Sequence, residues 1–130
     1  MNNRFKFRVW TKAHNHLADV HTIHTGTNKV IVSSRYGNVS VSINENNILM
    51  QCTGLKDING KLIYEGDVVL LPDEEDVFFV VNYDIDRAMF VVESQILHLC
   101  CNFDNYYGKE LEVIGNIYEN PELLKECENE

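Results

Sequence analysis

The run Leu55-Lys56-Asp57-Ile58-Asn59-Gly60-Lys61-Leu62-Ile63-Tyr64-Glu65-Gly66-Asp67-Val68-Val69-Leu70-Leu71 decides the fold class. Asn59-Gly60 tolerates positive φ, so it turns the chain tightly. Lys61 to Tyr64 leave that turn extended. Gly66 then bends the chain, because glycine takes backbone angles closed to other residues. Val68 to Leu71 follow as an apolar strand. Turns this closely spaced leave room for strands and none for helices.

The same pattern continues on both sides. Upstream, Phe5, Phe7 and Val9 alternate with Lys6, Arg8 and Trp10, which predicts a half-buried strand with the second set facing away from the core. A second strand is expected over about 18–25 and a third from Val30. Strands are also expected from Val39 to Ile43 and at Ile48 to Gln51. Downstream, Pro72 starts a charged turn, and strands are expected over Val77–Tyr83, Ala88–Glu93, Gln95–Cys101 and Leu111–Tyr118. At the end the period changes. Asn120 suits a helix cap, Pro121 the first helical position and Glu122 the positive end of the helix dipole. The expected architecture is mostly β: an antiparallel region over 1–50, a small SH3-like barrel over 51–119, and a helical tail over 120–130.

Eleven basic residues against twenty acidic ones give the 130-residue chain a net charge of -9. That field repels phosphate backbones, so duplex nucleic acid is not an expected partner. No apolar run reaches the ~20 residues of a membrane span. The opening MNNRFKFRVW has no apolar signal-peptide core. A cytoplasmic protein that stays where it is made is therefore expected. Cys52, Cys100, Cys101 and Cys127 form no CxxC pair, and reduced thiols are expected.

Several stretches together resemble one family. They are Phe7-Arg8-Val9-Trp10, Met50 to Lys61 (MQCTGLKDINGK), Ile63-Tyr64-Glu65-Gly66-Asp67-Val68-Val69, and Glu112 to Leu124 (EVIGNIYENPELL). In this order they look like the YopX family, a small group found in bacteriophages and in prophages of Gram-positive bacteria. The resemblance implies a mostly β protein whose second part is like a small SH3-type barrel. It implies no activity, cofactor or ligand set.

Four of the five histidines, His14, His16, His21 and His24, crowd into AHNHLADVHTIH. Histidines two apart on a strand share a face, and a zinc ion needs three or four ligands converging at about 2.0–2.1 Å. His21 and His24 have opposite parity, which would send them to opposite faces. An exposed hairpin with solvated imidazoles is the favoured reading, with no metal and no cofactor. His98 and Cys100 share strand parity, as a nucleophile and its base would. Their apolar neighbours favour a buried strand. The acidic run Asp73-Glu74-Glu75-Asp76 lacks the ligand spacing of a calcium loop.

Aromatic side chains offer the other route to function. Trp10, Phe103, Tyr106 and Tyr107 are candidates for a partner-binding groove. Leu123 and Leu124 form an apolar stripe on the expected tail, through which two copies could pair. The leading expectation is a non-enzymatic protein–protein interaction module made by a phage or prophage. The alternative is a single-strand nucleic-acid-binding barrel that stacks bases on aromatic platforms.

Overall fold

The computed structural model describes residues 3–71, 78–94, 99–103 and 110–124. A short 3₁₀ turn, Asn3–Phe5, precedes the first strand. The first group of strands comprises β1 (Phe7–Thr11), β2 (His16–His24), β3 (Lys29–Ser34), β4 (Gly37–Ser42), β5 (Asn47–Lys56) and β6 (Leu62–Tyr64). They form one antiparallel sheet in the order β4-β3-β2-β1-β5-β6. The second group comprises β7 (Asp67–Leu70), β8 (Phe78–Asp84), β9 (Met89–Ser94), β10 (Leu99–Asn102) and β11 (Glu112–Asn116). Its order is β10-β9-β8-β7-β11, again antiparallel.

The mostly β class therefore holds, and the second sheet is open, not a closed barrel. β10 and β11 are its two edges, and among the described residues no ladder joins them. Closure is unnecessary because the sheet's apolar face is already covered. Ile63, from the first sheet, packs with Val69, Phe79, Val81, Val92, Phe103 and Leu111 in one buried cluster. A second cluster lies within the first sheet and gathers Val9, Ala18, Val30 and Val32, with Val20, Ile23, Val41, Ile43 and Leu49 around it.

Two alternation arguments fail for identifiable reasons. The pairing of β2 with β3 shifts between Val20 and Thr22, which leaves His21 as an extra residue in a β-bulge. The bulge resets parity, so Val20 and Ile23 pack into the same cluster while His21 and His24 are both exposed. On β1, Arg8, Val9, Trp10 and Thr11 are all buried. On the face expected to meet solvent, Arg8 is covered by Tyr64 and Asp67 of the β6–β7 corner and Trp10 by Tyr118 after β11.

β5 runs through residue 51, the expected boundary between the two β regions. It pairs with β1 over Asn47–Gln51 and with β6 from Cys52 to Lys56. The tail is helical at residues 122–124, and 125–130 lie outside the described residues. Asn120 does not cap it as expected. Its Oδ1 accepts from the Asn116 N–H behind it, while its backbone carbonyl accepts from Leu123 N–H.

Gly66 shows how tightly the corner is built. Its φ is +84°, its N–H donates to Val81 O, and its carbonyl accepts from Ile117 N–H. An added Cβ would sit 3.1 Å from Met50 Sδ and 3.2 Å from a Tyr118 ring carbon. Gly66→Ala is expected to lower unfolding free energy by about 2 kcal/mol or more, from left-handed strain plus crowding. Urea denaturation followed by tyrosine and tryptophan fluorescence checks it.

Candidate functional site

The most charged feature of the interior is an ion pair that bridges the two sheets. Arg8 on β1 donates through its terminal nitrogen to Asp67 Oδ1 at the start of β7. Asp67 Oδ2 accepts from the Tyr64 N–H at 2.8 Å. The Arg8 guanidinium lies 4.4 Å from the Tyr64 ring centroid, a cation–π arrangement. Both side chains are nine-tenths or more buried. Burial pushes the Asp67 carboxyl above its usual value, against the pull of Arg8 and the Tyr64 N–H. Both Asp67 carboxylate oxygens are spent on holding the corner, while Arg8 Nε is buried with no hydrogen-bond partner.

Other polar residues of the LKDINGK and EGD stretches are used the same way. Asp57 is buried and accepts three backbone N–H bonds. Those from Asn59 (2.9 Å) and Lys61 (2.8 Å) shape the Asn59-Gly60 turn, and that from Val113 (2.9 Å) ties the turn to β11. Bonds to a charged acceptor contribute about 1.5–3 kcal/mol each. Glu65 Oε1 accepts from Gln51 N–H. Asn116 Oδ1 accepts from Tyr118 and Glu119 N–H.

The histidines do not converge. His14, His16, His21 and His24 are all exposed, and His21 Nε2 lies against Ser33 Oγ. Among the described residues no group of three His, Cys, Asp or Glu side chains is placed to hold a metal ion. Cys52 is buried, and burial pushes its thiol up, which disfavours the reactive thiolate. Cys100 is exposed and Cys101 half-buried. His98, the acidic run 73–76 and Cys127 lie outside the described residues.

Of the aromatic candidates, Trp10 is buried and stacks on Tyr118, centroids 6.3 Å apart at 23°. Phe103 sits in the second-sheet core. Tyr106 and Tyr107 lie outside the described residues. Leu123 and Leu124 are half-buried, and Leu123 packs over Gly115, where an added Cβ would lie 3.1 Å from it.

An aromatic groove does exist, from residues the sequence reading passed over. It measures about 340 Å³ and runs between the 3₁₀ turn, β5 and the β8–β9 hairpin. Arg4, Phe5, Gln51 and Thr53 form one wall, and Tyr83, Ala88, Met89 and Phe90 the other. Phe5 is 53% and Tyr83 43% exposed. Tyr83 meets Phe90 edge to face at 5.1 Å, and the Arg4 guanidinium lies 5.1 Å from the Phe5 centroid. Ala88 holds a φ of +55°, left-handed for a residue with a Cβ, at the groove's rim. Alternation assigned Phe5 to the core. The 3₁₀ turn takes it out of the strand and leaves the ring in solvent.

A family model described as YopX protein matches residues 6–125. The chain belongs to the YopX family. Its fold is similar to the crystal structure of protein EF1440 from Enterococcus faecalis, with 27% sequence identity and a TM-score of 0.61, over 92% of this chain and 96% of that one. It is also similar to the X-ray structure of protein yopX from Bacillus subtilis, with 23% identity and a TM-score of 0.61, over 95% and 98%. The latter likeness is one of fold alone. A search of curated proteins finds no match. In the YopX chain, Arg8, Asp57, Glu65, Gly66, Asp67 and Asn116 belong to the resembling stretches and are accounted for by the corner. The groove residues Phe5, Tyr83, Ala88, Met89 and Phe90 fall outside those stretches.

Removing one member of the buried pair leaves the other without its counter-charge. Arg8→Met or Asp67→Leu alone is expected to cost about 3–5 kcal/mol, and the double variant less than the sum. Denaturant unfolding of all four proteins gives the coupling. The pH dependence carries its own sign. A carboxyl whose folded value is raised contributes stability that is present below the unfolded value and lost as pH rises through the folded one. Wild type should therefore gain on Asp67→Asn as pH falls from neutrality toward the carboxylate range. Paired melts across that range check it.

Proposed function

We propose that this YopX-family chain is a non-enzymatic protein–protein interaction module, encoded by a phage or prophage and acting in the cytoplasm of its bacterial host. The aromatic groove between the 3₁₀ turn and the β8–β9 hairpin carries the reading. Exposed Phe5 and Tyr83 offer rigid, amphipathic contact area at low entropic cost, the kind that dominates interface energetics. The groove suits a few side chains of a partner. The structural employment of Asp57, Glu65, Asp67 and Asn116 supports a binding role over a catalytic one. Among the described residues no helix is long and apolar enough to cross a membrane.

One observation favours a second reading. Arg4 over Phe5, with Tyr83 opposite, is also an arrangement on which bases stack. The net charge of -9 opposes it.

Immobilised protein should capture a host protein reproducibly, and the Phe5→Ala/Tyr83→Ala double variant should lose it while melting within a few degrees of wild type. Capture unaffected by the double variant overturns the groove as the binding site. Salt-sensitive binding of a single-stranded oligonucleotide, lost in the same variant, would replace the module with the second reading.

A further inference from the structure

The first sheet ends on β4, a six-residue edge, longer and less protected than β6 at the sheet's other end, and two residues longer than the likewise uncharged β10 of the second sheet. β4 reads Gly37-Asn38-Val39-Ser40-Val41-Ser42 and pairs with β3 alone. It carries no charged side chain and no proline, the usual devices that keep an edge from pairing. β6, at the other end of the sheet, has three residues and joins β5 through an irregular register. β11 carries Glu112.

The direction of the free hydrogen-bonding groups follows from the register. Ile43 N–H donates to Asn28 O at 2.8 Å, in line with the Lys29↔Ser42 to Ser34↔Gly37 pairing. In an antiparallel pair, residues alternate between exchanging hydrogen bonds with the neighbour and pointing them away. Val39 and Val41 therefore bond toward β3, while Asn38, Ser40 and Ser42 present N–H and C=O outward. Ser42 O confirms the direction, because it accepts from the Asn47 side chain, which is not on β3. A carbonyl has a second lone pair, so that oxygen can still accept another bond.

We propose that β4 docks a second copy of this chain by antiparallel strand pairing about a two-fold axis at Ser40. In that register Ser40 faces Ser40 of the other copy, and Asn38 faces its Ser42, each pair exchanging outward groups. Val39, 44% exposed, falls beside Val41 of the other copy, which lies at the rim of the first-sheet core. That cross-strand contact extends the apolar face over the join. Charge agrees with the same register. Arg35 in the β3–β4 turn and Glu45 after β4 are both exposed, and among the described residues neither has an ion partner. Full strand overlap sets Arg35 of each copy level with Glu45 of the other. Two first sheets join into one continuous sheet, with the aromatic groove left open on each copy.

Light scattering of the whole chain should show a dimer whose fraction rises across roughly two decades of concentration. Ser40→Pro removes an outward N–H without touching the β3 ladder, and Val39→Lys places a charge at the join. Each should return a monomer with an unchanged circular dichroism spectrum. Arg35→Glu should weaken the dimer, and Arg35→Glu/Glu45→Arg should restore it. A strict monomer at all concentrations overturns the proposal, as does a dimer that survives both Ser40→Pro and Val39→Lys. Phe5→Ala/Tyr83→Ala should leave the dimer intact, so failure of the groove reading and failure of this one are separable.

Discussion

The contact on which this architecture turns is the Arg8–Asp67 pair, fifty-nine residues apart in sequence and sealed between the sheets. A guanidinium in an apolar interior is tolerated only with its charge matched, and Arg8 meets that demand even though its Nε is buried without a hydrogen-bond partner. Asp67 supplies the match, and Tyr64 supplies both a backbone donor for Asp67 and a ring for Arg8. Meeting that demand fixes β1 against the β6–β7 corner. Gly66 must then take a left-handed conformation to turn the chain inside the available space, and Trp10 finds Tyr118 as its stacking neighbour. Such a pair adds little net stability over well-packed apolar residues. It does exclude other arrangements of the two sheets, since any other leaves a buried charge alone.

Much of the β framework was legible because its signals are local. The Asn59-Gly60 turn, the bend at Gly66 and the apolar run into β7 each depend on a few neighbouring residues, and all three stand in the structure. What resisted reading depends on partners far away. Alternation sent Arg8 to solvent, because nothing near it announces Asp67. The same rule put His21 and His24 on opposite faces, because a bulge has no strong sequence signature. Asn120 carries a cap's chemistry and turns it backward onto Asn116. A closed barrel was the expected way to cover the second sheet, whereas Ile63 from the first sheet takes part in that task.

The groove was missed for a related reason. Residue type alone does not tell an exposed aromatic from a core one, and Trp10 and Phe103 prove to be interior. Phe5 and Tyr83 sit where a strand pattern begins and ends, which is where alternation loses its authority. The residues that carry the YopX resemblance build the corner and hold the turns. The groove shares only Gln51 and Thr53 with those stretches, and the β4 edge lies outside them.

The reach of β5 has a consequence for how the chain is made. β1 leaves the ribosome before two of its partners, since one neighbouring strand is Asn47–Gln51 and its counter-charge is Asp67. During synthesis the nascent β1–β4 meander must carry an unpaired inner edge and an uncompensated arginine. It can settle only after the β6–β7 corner has emerged. Completion of the first sheet therefore waits for that corner, and a translational pause before it would prolong the state in which β1 lacks its later partners.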